Sequence, residues 1–329
     1  MLQELKSKVL EIKSELDEKR FLALAKEVYD YQKKNNLVYK KYLKLTGWNN
    51  KKISDITDFP FLPISFFKSQ RISSLPNSEK HAITFRSSGT TSAETSEHYL
   101  YDQEIYNSSF TTTFNRFFPN HEKKALLALL PSYEERADSS LIYMVNGLLK
   151  SNKNKQSGFY QIDDRDFLQL LTDSKVPKIL IGVSFVLLDL ASKKIPCQNL
   201  TVIETGGMKG RRKEMIRAEL HQILTKGLHV NQIHSEYGMT ELLSQAYLID
   251  ASFRPAHTMK VLSRDLTDPL QTIRSGKGGL NIIDLSNIES CAFIATEDLG
   301  EVFENGNFTV DGRVDHAQIR GCNLLYSPT

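Results

Sequence analysis

Hydrophobic positions divide the chain into two regimes. Near the start, Leu5, Val9, Ile12 and Leu16 recur at spacings of three and four with charges between them. That spacing puts an apolar stripe on one face of a helix. A second helical pattern runs from Phe21 to Lys34 and ends near Asn35-Asn36. Charges of both signs are mixed on both segments, which marks a solvated face rather than a membrane-binding one. Pro60 and Pro63 then punctuate DFPFLPISFFKS. Proline disfavours helix, so this stretch reads as extended chain packing Phe61, Phe66 and Phe67.

From about His81 the pattern changes. β-rich runs at 82–85, 125–130, 178–183, 200–204, 229–234, 279–284 and 292–295 alternate with helical patterns at 139–149, 164–171, 185–192, 211–225 and 240–247. Such alternation predicts an α/β fold with mostly parallel sheets flanked by helices. No fixed-period repeat occurs, and KSNKNKQSG at 150–158 reads as a surface loop. The expected organisation is a helical N-terminal segment, 1–80, packed on an α/β core, 81–329, as one structural unit.

Composition excludes several classes. The 329 residues are enough to bury a core. With 40% hydrophobic and 25% charged residues the chain is ordinary globular material, not a disordered one. A net charge of +3 does not suggest a nucleic-acid partner. The longest apolar stretch, Ile179 to Leu188, falls short of the ~20 residues a membrane span needs. The N-terminus carries no hydrophobic signal-peptide core. Cys197, Cys291 and Cys322 form no CxxC pair, so neither a disulfide framework nor a zinc site is expected. A cytoplasmic, reducing setting is the expectation.

Four segments carry candidate chemistry. RSSGTTSAETS at 86–96 gathers hydroxyls around Gly89 after a β-like run. Backbone N–H groups and hydroxyls in such a loop can cradle phosphate, although no Walker A pattern is present and a plain polar turn is the alternative. ETGGMKGRRKE at 204–214 places glycines after a strand, where a ligand can approach the sheet's carboxyl end. Its Lys209, Arg211 and Arg212 can balance phosphate charge or simply open a solvated basic helix. HSEYGMTELLSQAY at 234–247 reads as strand, Tyr237-Gly238, then a helix opened by Thr240-Glu241. A helix start there offers Thr240 and partial positive charge to a phosphate, and Glu241 to Mg²⁺; an N-capped helix with an acidic first turn is the alternative. TEDLGEVFENGNFTVDGRVDHAQIRGC at 296–322 sets Asp298 in a turn, where a carboxylate can accept from two ribose hydroxyls, with Arg313 following; a simple hairpin is the alternative.

In this order the motifs resemble the adenylate-forming superfamily of acyl-CoA synthetases, peptide-synthetase adenylation domains and luciferases. The similarity spans residues 87 to 321, and Y-G-M-T-E with a downstream G-R-x-D is its most specific part. FPFLPISFFKS, FRSSGTTS, LLPSYEERADSSLIYMV, IGVSFVLLDLA, ETGGMKGRRKE and HSEYGMTELLSQAY further resemble the LuxE-like acyl-protein synthetases. The resemblance implies the large N-terminal domain of an adenylate-forming enzyme, with ATP and Mg²⁺ as cofactors. Ser87, Ser88, Gly89, Thr90 and Thr91 would hold the phosphates. Gly206 and Gly207 would line the adenine and acyl pocket. Tyr237 would stack on adenine, with Gly238 and Met239 beside the nucleotide. Thr240 would contact phosphate, Glu241 would hold the metal, and Asp298 and Arg313 would bind the ribose.

The implied reaction is ATP-dependent activation of a carboxylic acid, a fatty acid foremost, followed by acyl transfer to a protein thiol. An acyl-accepting or acyl-donating protein is the implied partner. Cys322, beside Arg320, is the candidate acceptor, since cysteine is nucleophilic and a guanidinium favours the thiolate. Cys291 reads as core, and His81, His98, His234, His257 and His316 as lone histidines without metal spacing. Two features depart from the superfamily. Ser92-Ala93-Glu94-Thr95-Ser96 stands where the phosphate loop usually continues with Gly and Pro-Lys. The chain also ends just past the hinge-like motif Gly312 to Gly321, so the lysine-bearing C-terminal subdomain is expected to be absent, as in the LuxE-like proteins. Two rival readings remain: an acyltransferase without ATP, and a non-catalytic small-molecule-binding protein with the same fold.

Overall fold

The computed structural model describes residues 1–76, 80–87, 95–130, 138–206 and 215–314. Three helices come first: α1 (Leu2–Leu10), α2 (Glu18–Asn35) and α3 (Leu37–Leu45). The apolar spacing predicts a first helix reaching Leu16, but α1 stops at Leu10. The chain turns so that Asp17 can cap α2 by accepting from the Arg20 N–H. Ile12 is buried from the turn instead. Asn36 ends α2 and caps α3 through the Tyr39 N–H. Pro60–Pro63 is extended as expected and supplies β1 (Leu62–Pro63), but Phe66 and Phe67, expected in the same extended stretch, open the short helix α4 (Phe66–Ser69) beyond the prolines.

A hairpin follows, β2 (Ile83–Arg86) with β3 (Glu97–Leu100), then α5 (Gln103–Phe117). The α/β succession is next: β4 (Ala125–Leu129), α6 (Ser140–Ser151), β5 (Gly158–Phe159), α7 (Arg165–Thr172), β6 (Lys178–Val183), α8 (Ser184–Ser192), β7 (Leu200–Thr205), α9 (Arg217–Leu228) and β8 (Ile233–Tyr237). β9 (Ala246–Ile249), β10 (Ser252–Pro255), β11 (Met259–Arg264), β12 (Thr272–Ile273), β13 (Gly276–Asp284), β14 (Phe293–Val302) and β15 (Gly312–Arg313) complete the elements.

A seven-stranded sheet runs β10-β9-β8-β7-β6-β4-β5. Its strands from β5 to β8 are parallel, and β9 and β10 are antiparallel. Every residue of β4 and β6 is buried, because helices cover both faces of a parallel sheet. The second sheet, β1-β14-β13-β11-β12 with β15 beside β14, is antiparallel apart from β1. A backbone pair between Phe253 and Phe308 ties the sheets together, with N···O distances of 2.7 and 3.0 Å.

Two hydrophobic cores result. One joins the N-terminal helices and β1 to the second sheet. The other packs α5 to α9 on the parallel strands. Buried Gln32 of α2 fastens the first core, since its amide donates to the Asn287 and Ile288 carbonyls and accepts from the Ala292 N–H.

Two further helical expectations change. The predicted 211–225 helix starts at Arg217 among the described residues. The predicted 240–247 helix does not form: the chain turns at Thr240-Glu241 and enters β9. Buried Asp284 is the reason. It takes the Leu243 and Ser244 N–H groups at 2.8 and 3.0 Å, donors an α-helix would have turned inward. Among the described residues no helix is long and apolar enough to cross a membrane.

α8 packs closely on α9. At Gly227 a Cβ would sit 2.6 Å from both the carbonyl oxygen and the Cβ of Ala191. Backbone cannot retreat like a side-chain tip, so Gly227→Ala should cost about 1–3 kcal/mol. Urea denaturation checks this; an unchanged midpoint would refute it.

Candidate functional site

The site forms at the carboxyl end of the parallel strands, where open α/β sheets usually bind ligands. Tyr237 closes β8 and its ring packs on Phe253 and Phe308, with centroids 5.7 and 5.3 Å away. Its hydroxyl donates to Asp298 Oδ2 at 2.8 Å. Arg313 Nε donates to Asp298 Oδ1 at 2.8 Å. Sheet register makes this contact, because Asp298 of β14 lies opposite Arg313 of β15. Asp298 is buried while Arg313 is largely exposed. Each carboxylate oxygen keeps a further lone pair for an incoming hydroxyl.

Past Tyr237 the chain passes exposed Gly238, then Met239 and Thr240, to buried Glu241. Burial raises the pKa of the Glu241 carboxyl, opposed by a hydrogen bond with Ser96 and by the charges of Arg313 and Lys68. The Asn287 amide holds the Glu241 carbonyl at 2.8 Å. Ser96 belongs to the base of the β2–β3 hairpin. Its N–H donates to Ser87 Oγ at 2.9 Å, and the Ser87 N–H donates to its carbonyl at 3.1 Å. Gly206 follows β7 with φ of 75°, a left-handed turn suited to glycine.

Tyr237, Asp298, Arg313 and Glu241 are thus brought together, with Ser87 joined through Ser96. Thr240 and Glu241 sit in a turn, so no helix N-terminus supports a phosphate here. Ser88, Gly89, Thr90, Thr91, Gly207 and Cys322, and also Lys209, Arg211, Arg212 and Arg320, lie outside the described residues. Cys291 is fully buried, donates to the Phe293 carbonyl, and has its thiol pushed up to about 12 by burial. Cys197 is likewise a buried free thiol, raised to about 11 by burial. His234 is satisfied at the Leu248 carbonyl.

Among the described residues no cluster of three or more His, Cys, Asp or Glu side chains could hold a metal. Mg²⁺ does not need one, since it binds through one or two carboxylates plus substrate phosphates. Glu241, a buried hard-oxygen donor beside a hydroxyl, fits that requirement.

Several contributors escape sequence reasoning. His98, read as a lone histidine, is buried on β3 and its Nδ1 contacts the Thr240 carbonyl at 2.8 Å. Desolvation holds its pKa down to about 4, so the ring is neutral and Nδ1 carries the donated proton. Asp284 and Ser96 are equally hidden, because their partners lie far along the chain. Glu204 is buried at the end of β7 beside Ser184, Ser235, His221 and Arg217. Burial pushes its pKa up, but those hydrogen bonds and the Arg217 charge outweigh it and leave the carboxyl below its usual range. Glu236 on β8 is raised to about 7 by desolvation, despite a hydrogen bond from Thr205.

Fold comparison gives the class. The chain has the fold of the adenylate-forming domain. No family model matches the sequence, and no curated protein matches it. Solved structures do. The luciferase-like enzyme of the nonluminescent mealworm Zophobas morio is 12% identical with a TM-score of 0.51, over 73% of this chain and 59% of that one. A long-chain-fatty-acid-CoA ligase (FadD1) of Archaeoglobus fulgidus is 12% identical with a TM-score of 0.53, over 74% and 54%. An ATP-bound RpMatB-BxBclM chimera is 16% identical with a TM-score of 0.52, over 72% and 49%. The chain therefore matches about half to three-fifths of each of these structures.

His98 gives a pH test. The unfolded chain protonates it near 6.5 and the folded protein only near 4, so its contribution to stability is present above 6.5 and is lost as pH falls from 6.5 towards 4. Full loss corresponds to roughly 3 kcal/mol. His98→Asn keeps a donor for Thr240 without that titration. Denaturation from neutral to mildly acid pH should show a shallower decline in the variant; equal slopes would refute the assignment.

Proposed function

We propose that the protein activates a carboxylic acid with ATP, as an acyl-protein synthetase of the LuxE-like kind does, and passes the acyl group to a thiol. The observation that carries this reading is the linked Tyr237–Asp298–Arg313 unit beside buried Glu241, at the strand ends of an adenylate-forming fold. A pure binding protein needs neither a ribose-binding carboxylate nor a metal carboxylate. One of the similar structures is ATP-bound and another is named a long-chain-fatty-acid-CoA ligase, so ATP and fatty acids are the first ligands to test.

The groups divide the work. Asp298 accepts from the ribose hydroxyls while Arg313 pairs with its other side. Tyr237 presents its ring to adenine beside Gly206 and Gly207, with Gly238 and Met239 leaving room for the nucleotide. Ser87, Ser88, Gly89, Thr90 and Thr91 receive the phosphates, with Thr240 at the same end. Glu241 holds Mg²⁺, which would supply charge neutralisation on the polyphosphate. A substrate carboxylate oxygen attacks the α-phosphorus, the bond to the β-phosphate breaks, and pyrophosphate leaves with that electron pair. Positioning and charge neutralisation are the main requirements of such a step. A thiolate then attacks the acyl carbonyl and AMP departs. Cys322 is the acceptor within the chain; a partner protein's thiol is the alternative. A cytoplasmic setting goes with this chemistry, because the acceptor has to be a free thiol.

Carboxylate-dependent exchange of labelled pyrophosphate into ATP, over fatty and aromatic acids, tests the first half. Wild type should exchange, and Glu241→Ala should lose at least about 100-fold, the order seen when one transition-state charge stabiliser is removed. No exchange by protein that binds ATP would point to a binding protein. Acyl labelling tests the second half. Label from radioactive acid should need ATP and vanish in Cys322→Ser; label without ATP would favour a plain acyltransferase, and label kept in Cys322→Ser would move the acceptor elsewhere.

A further inference from the structure

β8 presents different chemistry on its two faces. Tyr237 points to the Asp298 side, so Glu236, one residue earlier, points the other way. On that second face Glu236 lies opposite Tyr247 of β9, so the two side chains are cross-strand neighbours. Gln245, two residues before Tyr247, shares the face. Thr205, at the end of β7, donates its hydroxyl to Glu236 Oε2. Gly238 brings no side chain to the face and is exposed, and a Cβ there would strike Glu236 Oε1. The glycine thus keeps one carboxyl oxygen beside an open strand end.

This face is incompletely satisfied. Gln245 and Tyr247 are only 3% and 1% exposed. Yet neither Gln245 Oε1 nor the Tyr247 hydroxyl has a hydrogen-bond partner among the described residues. Buried polar atoms are rarely left so, and each specific exception calls for an explanation. Gln245 Oε1 only accepts, a carboxylate only accepts, and a tyrosine hydroxyl does either. Their common complement is a group that donates hydrogen bonds. An alkyl chain laid on this face would leave Gln245 Oε1 and the Tyr247 hydroxyl unpaired.

The geometry points to a recognition subsite in which Glu236, Gln245 and Tyr247 bind a hydroxyl or amine carried on the acyl part of the substrate acid. This deepens the proposed acid activation and rests on it for the identity of the ligand as an acid. Burial, by raising the Glu236 carboxyl to about 7, lets it act as acceptor or donor near neutral pH, which suits a hydroxyl.

Calorimetric binding separates this from its alternatives. The probes are a saturated fatty acid and its hydroxy- and amino-substituted counterparts of equal length. At least one substituted acid should bind about ten-fold tighter than the saturated one, the gain from a satisfied hydrogen bond in a buried site. Tyr247→Phe and Glu236→Leu should each erase most of that preference. Tyr247→Phe should also keep the wild-type thermal midpoint or exceed it, because it deletes an unpaired hydroxyl; should Glu236→Leu fail to fold, Tyr247→Phe decides alone. Equal or better binding of the saturated acid, a preference kept in the variants, or no binding by any probe would overturn the subsite. Selective binding without pyrophosphate exchange would instead refute acid activation and leave the subsite standing.

Discussion

One buried carboxylate holds the site's central turn in place. Asp284 is fully buried and accepts from the Leu243 N–H, the Ser244 N–H and hydroxyl, and the Ser286 N–H, at 2.6–3.0 Å. A hydrogen bond to a charged acceptor is worth about 1.5–3 kcal/mol. Taking the carboxylate out of water costs several kcal/mol. The two sides are of one order, and burial still leaves the carboxyl above its ordinary pKa. What the arrangement secures is geometry. It draws residues 243 and 244 towards β13, opens the turn before them, and so delivers Glu241 to the end of β8.

That turn is where the two cores and the β2–β3 hairpin meet. Tyr237 belongs to the core of the second sheet and Tyr247 to the core of the parallel sheet, although they stand on adjacent strands. From the hairpin, His98 reaches the Thr240 carbonyl and Ser96 reaches the Glu241 carboxyl. The base of the β2–β3 hairpin is therefore fastened to the turn that carries Thr240 and Glu241.

What the sequence revealed follows from where its determinants lie. The runs at 125–130, 178–183 and 200–204 are legible because buried parallel strands are apolar on both faces. The helices at 139–149 and 164–171 are legible because their apolar stripes are local, and that at 185–192 because it is apolar almost throughout. Residues 240–247 look helical by the same local rules, but a carboxylate some forty residues later decides their shape. β9 to β12 are short and their partners set them, so no period announces them. In the site, Tyr237, Asp298 and Arg313 stand out by motif and converge in space. His98, Ser96, Asp284 and Glu236 have no motif of their own; their roles arise from burial and cross-strand register.

The carboxyl groups at the strand ends show how the site manages charge. Four acidic side chains, Glu204, Glu236, Glu241 and Asp298, gather where an anionic ligand is proposed to bind. Glu204 has Arg217 and His221 nearby and its pKa is lowered; Asp298 has Arg313 at 2.8 Å. Neither Glu236 nor Glu241 has an ion-pair partner among the described residues, and burial raises both. The paired carboxyls orient cations and donors. For the unpaired ones burial disfavours the ionised form. For Glu241 the proposed divalent ion would supply the compensating charge. For Glu236 the proposed hydroxyl or amine would supply a hydrogen-bond donor without any metal. One strand end thus carries two carboxyls with opposite remedies, and the face each occupies decides which remedy is available.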